Sequence, residues 1–152
     1  MKYILTLFII FPFLSFAQKQ DSVLFPGATK IIIKNSQTAK ENYLISGNKL
    51  LANNYFIGNK DPEFFQVKSE PQSIVVESYD RLLVIYAVSN DNQIIITGLV
   101  KKKLTKDIFT GIETEKAYEA IPYKKSNLLS KEVFNRLEIY ARSIGGKILY
   151  SE

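Results

Sequence analysis

The chain has 152 residues, 20 of them Lys or Arg and 15 Asp or Glu, and it contains no His, Cys or Trp. Without His and Cys it lacks the usual general base near neutral pH, the thiolate nucleophile, any disulfide and nearly every zinc site. The small basic excess also falls short of the concentrated charge of a nucleic-acid-binding domain.

Residues 1–17, MKYILTLFIIFPFLSFA, place Lys2 before an apolar run and put the small residues Ser15 and Ala17 where a signal peptidase needs them. They predict a secretory signal peptide, with the mature chain starting at Gln18. The run is short for a membrane span, contains Pro12 and has no positively charged stop directly after it. Lipidation would require an N-terminal cysteine, so the expected product is soluble, unanchored after cleavage, and periplasmic or secreted. Loss of Lys2 leaves 19 basic and 15 acidic residues, a net charge of +4. The remaining chain, about 135 residues, suits one domain with its own core. We expect a polar lead over 18–29 and a single α+β domain over 30–152.

A turn at Pro26-Gly27 precedes Lys30-Ile31-Ile32-Ile33-Lys34, which reads as a short buried strand. Thr38 and Glu41 then form a capping-box pattern, and Tyr43, Leu44, Gly47, Leu50 and Leu51 recur at helical spacing up to a stop at Asn53-Asn54. Gly47 predicts a close approach of that helix to the sheet. Strands are expected over 55–58 and 64–68, joined by a turn over 59–63. Pro71 then interrupts the pattern, and 73–78 is expected either to continue the same sheet as an edge piece or to form a separate strand.

Residues 81–100, RLLVIYAVSNDNQIIITGLV, form two β-branched and aromatic runs around a polar hinge, the pattern of a β-hairpin. A two-residue loop at Asp91-Asn92 pairs Ala87 with Ile96, Ile85 with Gly98 and Leu83 with Val100. The opposite face then carries Val88 with Ile95, Tyr86 with Thr97 and Val84 with Leu99. Both faces are largely apolar, which fits a central pair covered by helices on one side and partly covered on the other.

Residues 101–129 show weak periodicity and predict a long surface loop. It carries seven lysines (101, 102, 103, 106, 116, 124 and 125) against four acids (107, 113, 115 and 119). From Ser130, residues Val133, Phe134, Leu137, Tyr140, Ala141 and Ile144 form one apolar stripe with charged residues opposite. Glu132 with Arg136 and Glu138 with Arg142 are spaced for ion pairs, and Gly145-Gly146 ends the helix. Burial of Leu137 is expected to make Leu137→Ala costly, while Arg136→Ala on the opposite face is expected to stay within roughly 0.5 kcal/mol. Residues 147–150 predict a last short strand. Together these elements predict an antiparallel sheet of about five to six strands with both helices on one face.

Asp61 with Glu63 and Glu113 with Glu115 are the conceivable carboxylate pairs, but both stand in surface segments where a solvated turn is the simpler account. Asn90-Asp91-Asn92 lacks the alternating acids and closing Glu of a calcium loop and reads as a turn. No catalytic residue, metal ligand or cofactor site is assigned. Lys101, Lys102, Lys103, Lys124 and Lys125 are the candidate binding residues, suited to an acidic partner, lipid phosphate or anionic glycan.

The segments IIIKN (31–35), AKENYLISGNKLLANNYFI (39–57), NDNQIIITG (90–98) and ARSIGGKILY (141–150) resemble a group of small exported proteins and lipoproteins of Gram-negative bacteria. Their domain is similar to the helix-grip, TATA-binding-protein-like fold, including BamC-like lipoprotein domains. That resemblance implies a non-catalytic envelope binding or scaffold role, with an unknown envelope protein or anionic surface as partner. The competing expectation is a carrier of a small apolar ligand in a groove between helix and sheet. A carrier should show a large apolar pocket, and a scaffold a filled core with an exposed apolar or basic patch.

Overall fold

The computed structural model describes residues 19–77, 79–102 and 117–152, with backbone alone for Tyr79 and Lys102. The signal peptide expected at 1–17, the candidate residue Lys103 and the carboxylates Glu113 and Glu115 lie outside the described residues.

The hairpin is the centre of the sheet. Strands β6 (Tyr79–Asn90) and β7 (Gln93–Lys102) pair antiparallel around Asp91-Asn92, and Ala87, Ile85 and Leu83 oppose Ile96, Gly98 and Val100 as the pattern predicts. Asn92 takes the left-handed conformation, φ 63°, that the tight turn requires. On the β7 side, β2 (Lys30–Lys34) pairs with residues 93–97, β9 (Lys147–Ser151) pairs with β2, and the two-residue β1 (Gln20–Asp21) pairs with β9. Beyond the reach of β2, the short β8 (Glu119–Ala120) joins the same edge of β7 at Leu99 and Val100.

The free edge of β6 is shared in a similar way. β4 (Gln66–Ser69) pairs with residues 86–88 and β5 (Gln72–Val76) with residues 79–83, while β3 (Ile57–Asp61) pairs with β4. Pro71 marks the break between β4 and β5, as a residue without an N–H should. Ser69 bridges the break, since its hydroxyl accepts from the Ile85 amide at 2.9 Å and donates to the Glu70 carbonyl at 3.0 Å. So 72–76 continues the same sheet as an edge piece.

Among the described residues the sheet therefore has nine strands, against the five to six expected. Strands of two residues leave no periodicity to read, which hides β1 and β8. The expected turn at 59–63 is also displaced: Asn59, Lys60 and Asp61 belong to β3, and the turn falls at 62–65, where Phe65 has φ 49°. Polar residues are tolerated on an exposed edge strand, so composition there imitates a turn. Asp61 makes the actual turn, its Oδ1 accepting from the Glu63 and Phe64 amides at 3.2 and 3.1 Å.

Helix α1 (Ala39–Ala52) opens on the expected capping box, with Thr38 Oγ1 accepting from the Glu41 amide at 3.3 Å and Glu41 Oε2 accepting from the Thr38 amide at 2.8 Å. Asn54, φ 61°, supplies the left-handed residue beyond it. Its buried face differs from the predicted stripe. Leu44 and Leu51 are exposed, and the residues facing inward are Asn42, Ser46 and Leu50. Gly47 makes no unusually close approach, because an added Cβ would meet only the Ile57 side chain at 3.6 Å.

Helix α2 (Leu128–Ile144) buries Val133, Phe134, Leu137, Tyr140 and Ala141 as predicted. It begins before Ser130 because Asn127 is the cap, its Oδ1 accepting from the Ser130 amide at 2.9 Å. The Glu132–Arg136 and Glu138–Arg142 pairs form at 2.7 and 3.5 Å. Gly145, φ 83°, caps the helix, and at the following Gly146, φ 105°, a Cβ would stand 2.7 Å from the Lys34 carbonyl oxygen.

Both helices pack on one face of the sheet. That face is built by Ile31 and Ile33, by Leu83, Ile85 and Ala87, and by Ile94, Ile96 and Val100, with Val67, Ile74 and Tyr150 joining the same buried cluster. The close approach is on β7: a Cβ on Gly98 would lie 2.8 Å from Val133 Cγ1 and 3.1 Å from Leu137 Cδ1. Gly98→Ala is therefore expected to cost about 1–3 kcal/mol through overpacking, measured as a lowered denaturant midpoint at unchanged m-value.

Tyr150 reports on the same packing. Its hydroxyl donates to Glu138 Oε1 at 2.7 Å, and burial, followed by that carboxylate, pushes its pKa up to about 12. Burial also pushes Tyr140 well above the phenol range, and its hydroxyl donates to the Ser46 carbonyl at 2.9 Å. Unfolded tyrosines ionise near pH 10. Above that pH the unfolded chain releases protons that the folded chain retains, so stability is full below about pH 10 and falls as pH rises toward 12. Melting temperature should drop across that window, and Tyr150→Phe should make the drop shallower.

Candidate functional site

The described candidate lysines occupy two places. Lys101 lies on the face of β7 away from the helices, half-buried, with its ammonium 5.2 Å from the centroid of the Tyr118 ring. Lys68 of β4 lies 5.5 Å from the same ring, so Tyr118 is flanked by two cations. Lys124 and Lys125 are exposed in the turn that leads into α2. The backbone of that turn is fixed: Lys124 N donates to Ser130 Oγ and Ser130 Oγ donates to the Lys124 carbonyl, each at 3.0 Å. Lys102 pairs with Arg81 in the sheet.

The described end of the basic segment is folded onto the domain. Ile121 and Tyr123 pack against the core, Tyr123 meets the Phe134 ring edge-on at 5.4 Å, and its backbone exchanges hydrogen bonds with Gly27 and Ala28. Sequence reasoning did not find the Tyr118, Lys68 and Lys101 group. The lysines are 33 positions apart in the chain, and only the pairing of β4 and β7 through β6 brings them to one face.

Surface hollows of more than 200 Å³ accompany these residues. One of about 220 Å³ is bounded by Lys68, Val84, Tyr118 and the Ser69-Glu70-Pro71 break. Two others, about 270 and 490 Å³, adjoin along the end of β5 and the first turns of α2, sharing Val76, Glu77 and Leu128. Between the helices and the sheet the space is filled, as the contacts at Gly98 and the fully buried Phe134, Leu137 and Tyr140 show.

Four ionisable groups have clear structural partners. Asp61 holds its turn, and Asp91 Oδ1 accepts from the Ala39 amide at 2.8 Å, so Asp91 caps the start of α1 from the hairpin turn. Arg136 keeps its charge firmly: burial opposes it, but hydrogen bonds to Glu132 and Tyr55 outweigh that and raise its pKa above the usual range. Glu41 is held below the usual carboxylate range by its bonds to Thr38. Among the described residues, no three or more His, Cys, Asp or Glu gather as a metal site requires, and no helix is long and apolar enough to cross a membrane. No protein-family model matches the chain, and no curated protein matches it in sequence.

Proposed function

We propose that this is an exported cell-envelope binding or scaffold protein that carries out no chemistry of its own, built on a helix-grip, TATA-binding-protein-like domain. The observation that carries the reading is the filled space between helices and sheet, combined with basic and apolar side chains on the surface. A carrier of a small apolar ligand would need room where Val133 and Leu137 press against Gly98. A scaffold uses its surface, and the leader-like residues 1–17 would deliver that surface to a compartment rich in anionic lipids and glycans.

Lys124 and Lys125 give the cleaner test of charge-driven contact, because Lys101 also packs on Tyr118 and its loss would disturb the sheet. The exported chain would be used to capture partners from the envelope fraction of its own cells, followed by binding measurements over a salt series. Lys124→Ala with Lys125→Ala should slow association and flatten its salt dependence at unchanged melting temperature. Binding indifferent to both salt and these substitutions would remove the lysines from the contact surface. Saturable turnover of a substrate, abolished by changing one carboxylate such as Glu63, would overturn the non-catalytic reading.

A further inference from the structure

We propose that the free edge of β5 accepts an extended, acidic segment of a partner protein as an added strand, which specifies how the proposed scaffold binds and rests on that reading. Among the described residues β5 pairs only with β6, and its second edge has no strand partner there. Unpaired edges are normally protected by charge, proline or irregularity. β3, the other long free edge, has that protection: it carries Lys60 and Asp61 and a register shift between Ile57 and Asn59. β5 has none over Gln72-Ser73-Ile74-Val75-Val76, and Val75 is 71% exposed.

The space beside this edge has the form an added strand needs. The two adjoining hollows run between the end of β5 and the first turns of α2, lined by Val76, Glu77, Leu128, Lys131 and Asn135. Five residues of β5 span roughly 17 Å, enough for a five-residue strand to pair along its length. Side chains of the added strand alternate between faces. Those toward the helix would meet Val76 and Leu128, the latter 49% exposed, and those on the other face would cover Val75.

Charge selects the partner's chemistry. Lys131 lines the hollow, and Lys124 and Lys125 immediately precede its Ser126 wall, all exposed. Of the acids there, Glu132 is paired with Arg136, leaving Glu77 against the three lysines. An incoming segment that alternates apolar and acidic residues complements this border. A second copy of the chain joined edge to edge about a two-fold axis would set the lysines against each other, so it is the poorer occupant.

The test is selection of random twelve-residue displayed peptides on the full chain, followed by measurements with the enriched peptide as probe. Alternating apolar and acidic peptides should be enriched, and the bound probe should slow amide exchange at residues 73–76. Val75→Lys should weaken probe binding by about tenfold or more at unchanged melting temperature, since a lysine there protects an edge. Lys125→Glu with Lys131→Glu should turn the selection away from acids. Enrichment without that pattern, exchange protection elsewhere, or indifference to Val75→Lys would overturn the proposal. Sedimentation showing a dimer that Val75→Lys dissolves would also overturn it, giving the edge to a second copy. An envelope partner held equally well by Val75→Lys, but lost with Lys124→Ala and Lys125→Ala, would reject the edge and leave the scaffold reading standing.

Discussion

Leu137→Ala should lower stability by about 2–5 kcal/mol in denaturant melts, the cost of removing a fully buried leucine from a site that cannot collapse. Collapse is blocked from both sides. Leu137 lies over Gly98 of β7, where the sheet backbone cannot move toward the helix without disturbing the β6 and β2 ladders. On the helix, Tyr140 is anchored to the Ser46 carbonyl and holds α2 against α1. Asn135→Ala, on the exposed face of the same helix, should stay within about 0.5 kcal/mol. Arg136→Ala was expected from its position opposite the stripe to be equally mild, but its 2.7 Å bond to Glu132 raises the expectation to about 1 kcal/mol. Equal losses for Leu137→Ala and Asn135→Ala would mean that α2 does not present this stripe to the sheet.

The hairpin and α2 were legible because their signals are local and repeated. Two β-branched and aromatic runs around a polar hinge mark a hairpin whose register follows from a two-residue loop, and a stripe from Val133 to Ile144 fixes a helix face. The sheet's extent was not legible. β1 and β8 exist because β9 and β7 offer edges to them, a fact of the assembled sheet that two residues cannot encode. α1 was misread for a different reason: hydrophobicity identified Leu44 and Leu51 as core, while burial went to Asn42 and Ser46, whose hydrogen bonds need partners from β6 and the hairpin turn. The same limit applies to the surface. Lys124 and Lys125 could be read from the sequence as exposed charge, but the unprotected edge of β5 depends on which strands pair, and the lysines flanking Tyr118 depend on sheet order.

Asn42 is where that polar face of α1 should prove most sensitive. Its side chain is fully buried, with Nδ2 donating to the Asn90 carbonyl at 2.8 Å and Oδ1 accepting from Asn35 Nδ2 at 2.7 Å. The surrounding backbone closes the same knot: Asn35 N donates to the Asn92 carbonyl and Asn92 N to the Gln37 carbonyl, while Asp91 caps α1 at Ala39. The hairpin turn, the end of β2 and the start of α1 thus depend on one amide that bonds in both directions. Asn42→Ala leaves a buried carbonyl and a buried amide without this partner and opens a small void, so it should cost about 2–4 kcal/mol. Asn42→Asp keeps the volume and the acceptor but loses the donor to Asn90, and it places a carboxylate in a site without a cation among these partners. Its stability should therefore recover as pH falls and the carboxyl regains a proton, whereas Asn42→Ala should show no such recovery. Melts of the two variants across the acid range distinguish a polar knot from simple packing: equal, pH-independent losses would show that volume alone matters at this position.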